Sequence, residues 1–329
     1  MEAADQSAQF SAWAVMTNVD TITIEQLDSD IRQLASAYLH APPTPLFRRA
    51  LMLRNRVFSL LEGRQRPSQS QDLYVAAGQL CMLLAWISGD LGQLHAAETQ
   101  GRTAWLCAEL AEHNALRAWV LSTRSKTAFW AGRYREAIDY ARQGLDCQPN
   151  DTAAVMLACQ EADAWAQFGE VGAATAALNV ARENRNSITA DDHLGGLFNC
   201  GTARQGNYAA GVFLRIGQAD VAVREAGRAL SDIQASGQSS YGTEAQIRIS
   251  QALGHLHARQ PNPEGSVEVL APVLALPVDQ RLDTVVKRMW QVSQALAGVR
   301  LAGSTVAAGL REQIEDFSVA ARAARELTV

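Results

Sequence analysis

The sequence has little that is basic, little that is aromatic and nothing that reads as a sheet. Lysine and arginine number 29 against 34 aspartates and glutamates, a formal net charge of −5 with no run of like charge. A strongly basic surface of the kind that holds nucleic acid is therefore excluded for the chain as a whole. The cysteines are Cys81, Cys107, Cys147, Cys159 and Cys200, odd in number, with no CxxC pair among them. That argues against a disulfide framework or a cysteine zinc site and for free thiols in a reducing compartment. Walker A, HExxH, GxSxG and strand-borne GxGxxG patterns are absent. His255 and His257 are two apart and so lie on different helix faces, and neither a metal nor a cofactor is expected. The first residues are acidic where a secretory leader is basic, and apolar runs such as 76–87 are broken by Gly and Gln and fall short of a membrane span. The expectation is a cytoplasmic protein without a membrane partner.

Helical punctuation is what the sequence does contain. Between Thr23 and Leu39, apolar residues at Ile24, Leu27, Ile31, Leu34 and Tyr38 trace one helix face, opened by a Thr23–Gln26 capping box. The proline-rich stretch 40–45 ends it. A second helix is expected from Pro45 to Leu61, with Gly63 as its stop and a polar loop over 64–69. From Ser70 a helix–turn–helix unit recurs. Its clearest copy spans 118–151, where Ser125, Gly132, Tyr134, Ala137 and Pro149 meet the tetratricopeptide pattern. Small residues there let two helices approach, and glycine permits the tight turn. Weaker copies are expected to turn at Gly89, Gly169 and Gly217, with Ala174 and Ala222 at the close-packing position, and a degenerate one near 260–263. The longest loop, 184–196, carries Asp191-Asp192-His193 and reads either as a lid or as a plain connector. The predicted fold is all-α, a tetratricopeptide-like right-handed superhelix of antiparallel helix pairs. A flexible segment, 1–22, would precede one solenoid, 23–329. That solenoid comprises a helix pair (23–63), irregular repeats (70–275) and capping helices (279–326).

The segments YLHAPPTPLF (38–47), RNRVFSLLEGRQRPSQSQDLYVAAGQLC (54–81), GRTAWLCAELAEHNALRAWV (101–120) and SYGTEA (240–245) resemble the tetratricopeptide-type ligand-binding domain of actinobacterial helix-turn-helix transcriptional regulators. The resemblance covers about residues 20–325. It implies a sensor-like role in actinobacterial metabolism, with a small molecule or peptide held in the concave groove. In that family a DNA-binding region of roughly 60 residues precedes the domain. Only about 20 residues precede the first helix here, so DNA is not expected as a partner. A homodimer is compatible with the pattern. The alternative is a biosynthetic enzyme of secondary metabolism that uses the groove as an acid/base pocket for condensing or cyclising an aromatic, indole-like substrate.

The repeat register names the groove residues, because the first helix of each pair lines the concave side. Counting back from Gly132 selects Trp119, Ser122, Lys126, Phe129 and Trp130. The Gly89 copy offers Gln79 and Trp86, the Gly169 copy Asp163 and Gln167, and the Gly217 copy Arg204, Asn207 and Arg215. The last copy offers Ser250 and His257. Aromatic rings beside Lys126, with a carboxylate one repeat away, suit a flat, partly apolar ligand. The competing reading is that Trp119, Phe129 and Trp130 fill the interface between helix pairs. Lys126, Asp163, Arg204 and Arg215 would be costly if buried unpaired and are expected to face the groove or solvent. Were the protein an enzyme, Asp163 (or Glu161 in a slipped register) would be the base and Lys126 or His257 the acid.

Overall fold

The computed structural model describes residues 2–236 and 240–326. Among the described residues the chain is helical throughout, with fifteen α-helices and two short 3-10 turns, and the only β feature is an isolated bridge between Gly195 and Phe198. An exposed first helix, α1 (Glu2–Ala14), is followed by α2 (Thr21–Ala37) and α3 (Pro43–Leu61). Five helix pairs come next: α4 (Pro67–Asp90) with α5 (Leu94–Leu110), α6 (Asn114–Trp130) with α7 (Tyr134–Asp146), α8 (Thr152–Gln167) with α9 (Val171–Asn186), α10 (Thr202–Arg215) with α11 (Ala219–Ser236), and α12 (Tyr241–His257) with α13 (Pro263–Leu274). A 3-10 turn, Val278–Gln280, leads to α14 (Asp283–Leu296) and α15 (Thr305–Glu326).

Glycine sets the turn inside four of the pairs. Gly92, Gly132, Gly169 and Gly217 have φ of 82°, 78°, 73° and 79°, the left-handed region that a side chain strains to enter. After each glycine the next amide reaches back into the last helical turn. Gln93 N donates to Ser88 O at 2.8 Å, Arg133 N to Ala128 O at 2.9 Å, Glu170 N to Trp165 O at 3.2 Å and Gln218 N to Phe213 O at 2.8 Å. This satisfies carbonyls that the helix end would leave open. Alanine then lets the partner helix close in: Ala137, Ala174 and Ala222 are fully buried, and Ser125 Oγ fastens α6 to α7 by donating to Ala137 O at 2.8 Å.

The first helices of the pairs touch in succession, α4 to α6, α8, α10, α12 and α14, and α14 returns to meet α4. The circuit is therefore closed rather than left as an open groove. Two backbone-directed bonds reinforce the closure: Tyr241 N donates to Leu39 O at 3.3 Å and Gln280 Nε2 to His40 O at 3.2 Å. By length and composition α4 alone among the described helices passes as a membrane span, yet 83% of its apolar window is buried inside the protein. Every residue from Ala76 to Asp90 is in fact buried.

Several boundaries differ from the sequence reading. The N-cap of α2 is Asp20, whose Oδ1 accepts from Thr23 N at 2.6 Å. Thr23 therefore lies one turn inside the helix and forms no capping box. Residues 2–14, expected to be flexible, are helical, although none of their side chains is buried. The α3 helix starts at Pro43 and α4 at Pro67, because proline suits a first helical turn whose amides need no partner. The first repeat turns at Gly92, not Gly89, which lies inside α4. The long loop starts only after Asn186 and is packed: Leu197 N donates to Ala35 O at 2.9 Å and Phe198 is fully buried. The last helices do not merely cap the array, since α14 joins the inner circuit.

Candidate functional site

The closed circuit surrounds a pocket whose space, counted out through its open mouth, is about 930 Å³. Every inner helix contributes to its wall, together with Tyr38 after α2 and Leu197 from the 187–201 segment.

Two charged clusters sit in this wall. In the first, Asp90 at the end of α4 accepts from Tyr38 Oη at 2.5 Å and from Lys126 Nζ at 2.8 Å. Lys126 Nζ also lies 3.9 Å from the centre of the Trp86 ring, a cation–π contact. Arg204 approaches the same ring at 5.8 Å while its Nη1 donates to the carbonyls of Leu197 at 2.6 Å and Asn199 at 2.9 Å. Burial pushes the Lys126 amine down from its ordinary value and Asp90 opposes the shift. The Tyr38 hydroxyl is held well above its usual range, first by burial and then by the Asp90 charge.

The second cluster joins α8, α10, α12 and α14. Arg215 pairs through Nη1 with Asp163 and lies 5.6 Å from the centre of Phe129. Gly211, one turn before Arg215, makes room for this pair: a Cβ there would stand 3.0 Å from Arg215 Nη1 and 3.7 Å from Asp163 Oδ1. Arg288, only 5% exposed, donates from Nη1 to Gln246 O at 3.2 Å and Gln246 Oε1 at 2.9 Å, and from Nη2 to Ser250 Oγ at 3.0 Å. Its buried Nε has no partner, and neither has Asn207 Oδ1. Burial raises the Asp163 carboxyl, with Arg215 and then Arg288 opposing. Burial, and next the Arg215 charge, push Arg288 down.

Eight of the twelve residues proposed from the sequence line this pocket: Trp86, Lys126, Phe129 and Trp130 from α4 and α6, Asp163 from α8, and Arg204, Asn207 and Arg215 from α10. Four do not. Trp119 is 3% exposed, packs edge-on against Phe198 at 5.8 Å and donates from Nε1 to Asp151 Oδ2 at 3.3 Å, so it belongs to the core. Ser122 is fully buried against α8, its carbonyl accepting from Gln160 Nε2 at 3.1 Å. Gln167 ends α8 outside the lining, and His257 is exposed at the end of α12. Glu161, the slipped-register base, is held by Arg142 at 2.7 Å. Ser250 and Gln79 lie one layer back, the first under Arg288 and the second 3.2 Å from His193 Nδ1.

Asp90, Tyr38, Gln246 and Arg288 were missed. Asp90 had a signal. Counting back from Gly92, the true turn, places Asp90 where Trp130, Gln167 and Arg215 stand relative to their own glycines. Arg288 had one too, as a lone guanidinium in the buried stripe of Val285, Met289 and Val292. Tyr38 and Gln246 had none, because the contacts that bring them in span the whole chain. Comparison with protein-family models and with curated proteins finds no match for this chain.

Proposed function

We propose that this is a small-molecule-binding protein of tetratricopeptide-like build, taking a flat, partly apolar ligand into the axial pocket in a sensing or adaptor role. One observation carries the reading. Half-buried Phe129 and Trp130, T-shaped to each other at 5.7 Å, share a wall with four cationic side chains, Lys126, Arg204, Arg215 and Arg288, against two carboxylates, Asp90 and Asp163. Apolar faces with a few convergent polar groups are the usual make-up of a ligand site. A closed circuit of helices favours a compact ligand over a long peptide, which needs an open groove in which to lie. The tetratricopeptide-like pattern of the sequence and its resemblance to regulator ligand domains point the same way.

Acid/base catalysis is the second reading, and it draws on the burial that raises the Asp163 carboxyl toward a working base. The ion pairs oppose it: Asp163 is committed to Arg215 and Lys126 to Asp90, so neither group is free to move a proton. Recognition is the better-supported chemistry.

The neutral dye N-phenyl-naphthylamine tests the pocket. The full chain should take it up saturably at one site, and Trp130→Ala should weaken uptake by about tenfold, since a lost ring contact removes roughly 1 kcal/mol or more of burial and stacking. Uptake that does not saturate, or that is indifferent to both Trp130→Ala and Phe129→Ala, would place the site elsewhere.

A further inference from the structure

The two charged clusters of the pocket hold the same charges, one carboxylate and two cations each, but they differ in how far the second cation is buried and answered. Asp90 answers Lys126 one to one, and Arg204 is spread over two backbone carbonyls and the Trp86 face. Around Asp163 one carboxylate likewise faces two cations, here both guanidiniums. Arg215 holds it directly, and Arg288 has no carboxylate partner among the described residues, its three bonds all going to neutral oxygens. A guanidinium stays charged under any ordinary condition. A buried cation whose hydrogen bonds all go to neutral oxygens, and whose Nε–H has no partner, is an expensive arrangement unless something else supplies negative charge. Arg288 is also more than nine-tenths buried and lines the pocket, so the missing charge can reach it only through the pocket.

Accepting the small-molecule reading above, we infer that the ligand is an organic acid with an aromatic or similarly flat apolar body, and that Arg288, seconded by Arg215, receives its carboxylate or sulfonate-class group. Phe129 links the two parts of such a molecule. Arg215 lies over one side of its ring, and Trp130 meets it edge-on. An acid anchored at the arginines therefore has an aromatic surface next to it. Arginine suits the task because its planar fork can present two donors to one carboxylate. The Nε–H and one Nη–H form one edge of that fork, and Nε is the atom left unanswered. Asn207, whose Oδ1 is also unanswered, lines the same pocket and can accept from a donor on the ligand body.

A matched pair of dyes tests the acid requirement: N-phenyl-naphthylamine, which is neutral, and anilinonaphthalene sulfonate, the same skeleton with one anionic group. Wild-type protein should bind the sulfonate more tightly. Arg288→Gln should weaken the sulfonate by about tenfold or more, the usual weight of a charge-assisted hydrogen bond, and leave the neutral dye within about twofold. Arg288→Lys should fall between them, since it restores charge without the fork. Inorganic sulfate should compete with the sulfonate dye only weakly and with the neutral dye not at all. Equal binding of the two dyes by wild type, or equal losses for both in Arg288→Gln, overturns the acid inference and leaves the pocket reading standing. Sulfate competing as strongly as benzoate at matched ionic strength would mean that the site takes an inorganic anion, and overturns it too. If neither dye binds at one site, the pocket reading itself fails. The wild-type comparisons hold even if Arg288→Gln does not fold.

Discussion

The Tyr38–Asp90–Lys126 cluster and the Asp163–Arg215–Arg288 cluster share one pocket, yet they differ in what they leave over. At the Asp90 end Lys126 meets its opposite and Arg204 is taken up by two backbone carbonyls, and the phenol, the carboxylate and the amine hold three parts of the chain, α2, α4 and α6, against one another. At the Asp163 end a guanidinium and a buried donor remain unanswered. A cluster whose cations are all answered has done its work once the protein is folded; a buried cation with a donor left over is a site waiting for a partner. Position in the repeat does not separate the two, since Lys126 and Asp163 stand equally far from their turn glycines. What separates them is how the second cation is met: Arg204 is half-buried and held by carbonyls, whereas Arg288 is buried with one donor left over.

The largest expected effect tests that difference. Asp90→Asn keeps the shape and an acceptor for Tyr38 but strips Lys126 of its counter-charge, and breaking a buried pair in this way costs about 3–5 kcal/mol. At the other end, Arg288→Gln removes the unmatched cation and retains a donor for Gln246. Replacing a poorly compensated buried ion with a neutral group is often neutral or better, so its unfolding free energy should stay within about 1 kcal/mol of wild type. Paired denaturant melts on ligand-free protein give both values. Similar large losses in the two variants would erase the distinction between a structural and a functional cluster.

Trp119 and Trp130 extend the comparison along a single helix. Both satisfied the same repeat rule, and only one lines the pocket. Trp119 lies nearer the start of α6, where Phe198 from the 187–201 segment packs between it and Trp86 at 5.8 and 6.0 Å. Trp119→Ala should therefore cost about 3–5 kcal/mol of stability, as truncating a core aromatic does. Its dye affinity, measured well below the midpoint of unfolding, should be unchanged. An affinity loss without a stability loss would return Trp119 to the pocket.

The same residue marks how far the sequence could be read. Helix pairs were visible because glycine in a left-handed turn and alanine at a close approach are local demands, met within a few residues at Gly132 and Ala137, Gly169 and Ala174, and Gly217 and Ala222. Seven wall residues followed from counting back from those turns and Trp86 from the misplaced Gly89, while the Gly89-for-Gly92 slip concealed Asp90. The closure of the circuit could not be counted from any turn. It depends on α14 meeting α4 and on Tyr241 and Gln280 reaching residues 39 and 40, contacts that no local pattern encodes. Arg288 showed only as a lone guanidinium in a buried stripe; that it lines the pocket depends on α14 packing on α12, where Gln246 and Ser250 hold it. Phe198 was hidden because an irregular segment has no period to betray which of its residues turn inward.

That segment offers the smallest effect, and one confined to the Asp90 side of the pocket. His193, on the 187–201 strap, meets His113 at the start of α6 with ring centres 5.4 Å apart. His113 Nδ1 accepts from Leu116 N at 3.1 Å as the helix cap, and His193 Nδ1 lies 3.2 Å from Gln79 Nε2. Burial, then the neighbouring His193, and finally Arg117 hold His113 below the usual histidine value of 6.5. The unfolded chain therefore takes up this proton first as the pH falls. Stability should be flat above about pH 6.5 and decline below it, levelling off once the pH has passed the folded value. His255, also lowered by burial, contributes the same sign, so the slope must be read as a difference between variants. His113→Asn keeps a capping acceptor for the Leu116 amide and removes the titration. It should flatten part of the decline in thermal midpoint between neutral and mildly acidic pH. Amide exchange should show the same difference in residues 190–198, of which Phe198 packs on Trp86, while the amides of α14 around Arg288 stay unmoved. If acid loosens both ends equally in the wild type, the two clusters are coupled, and the division of the pocket into a fixed end and a receiving end does not hold.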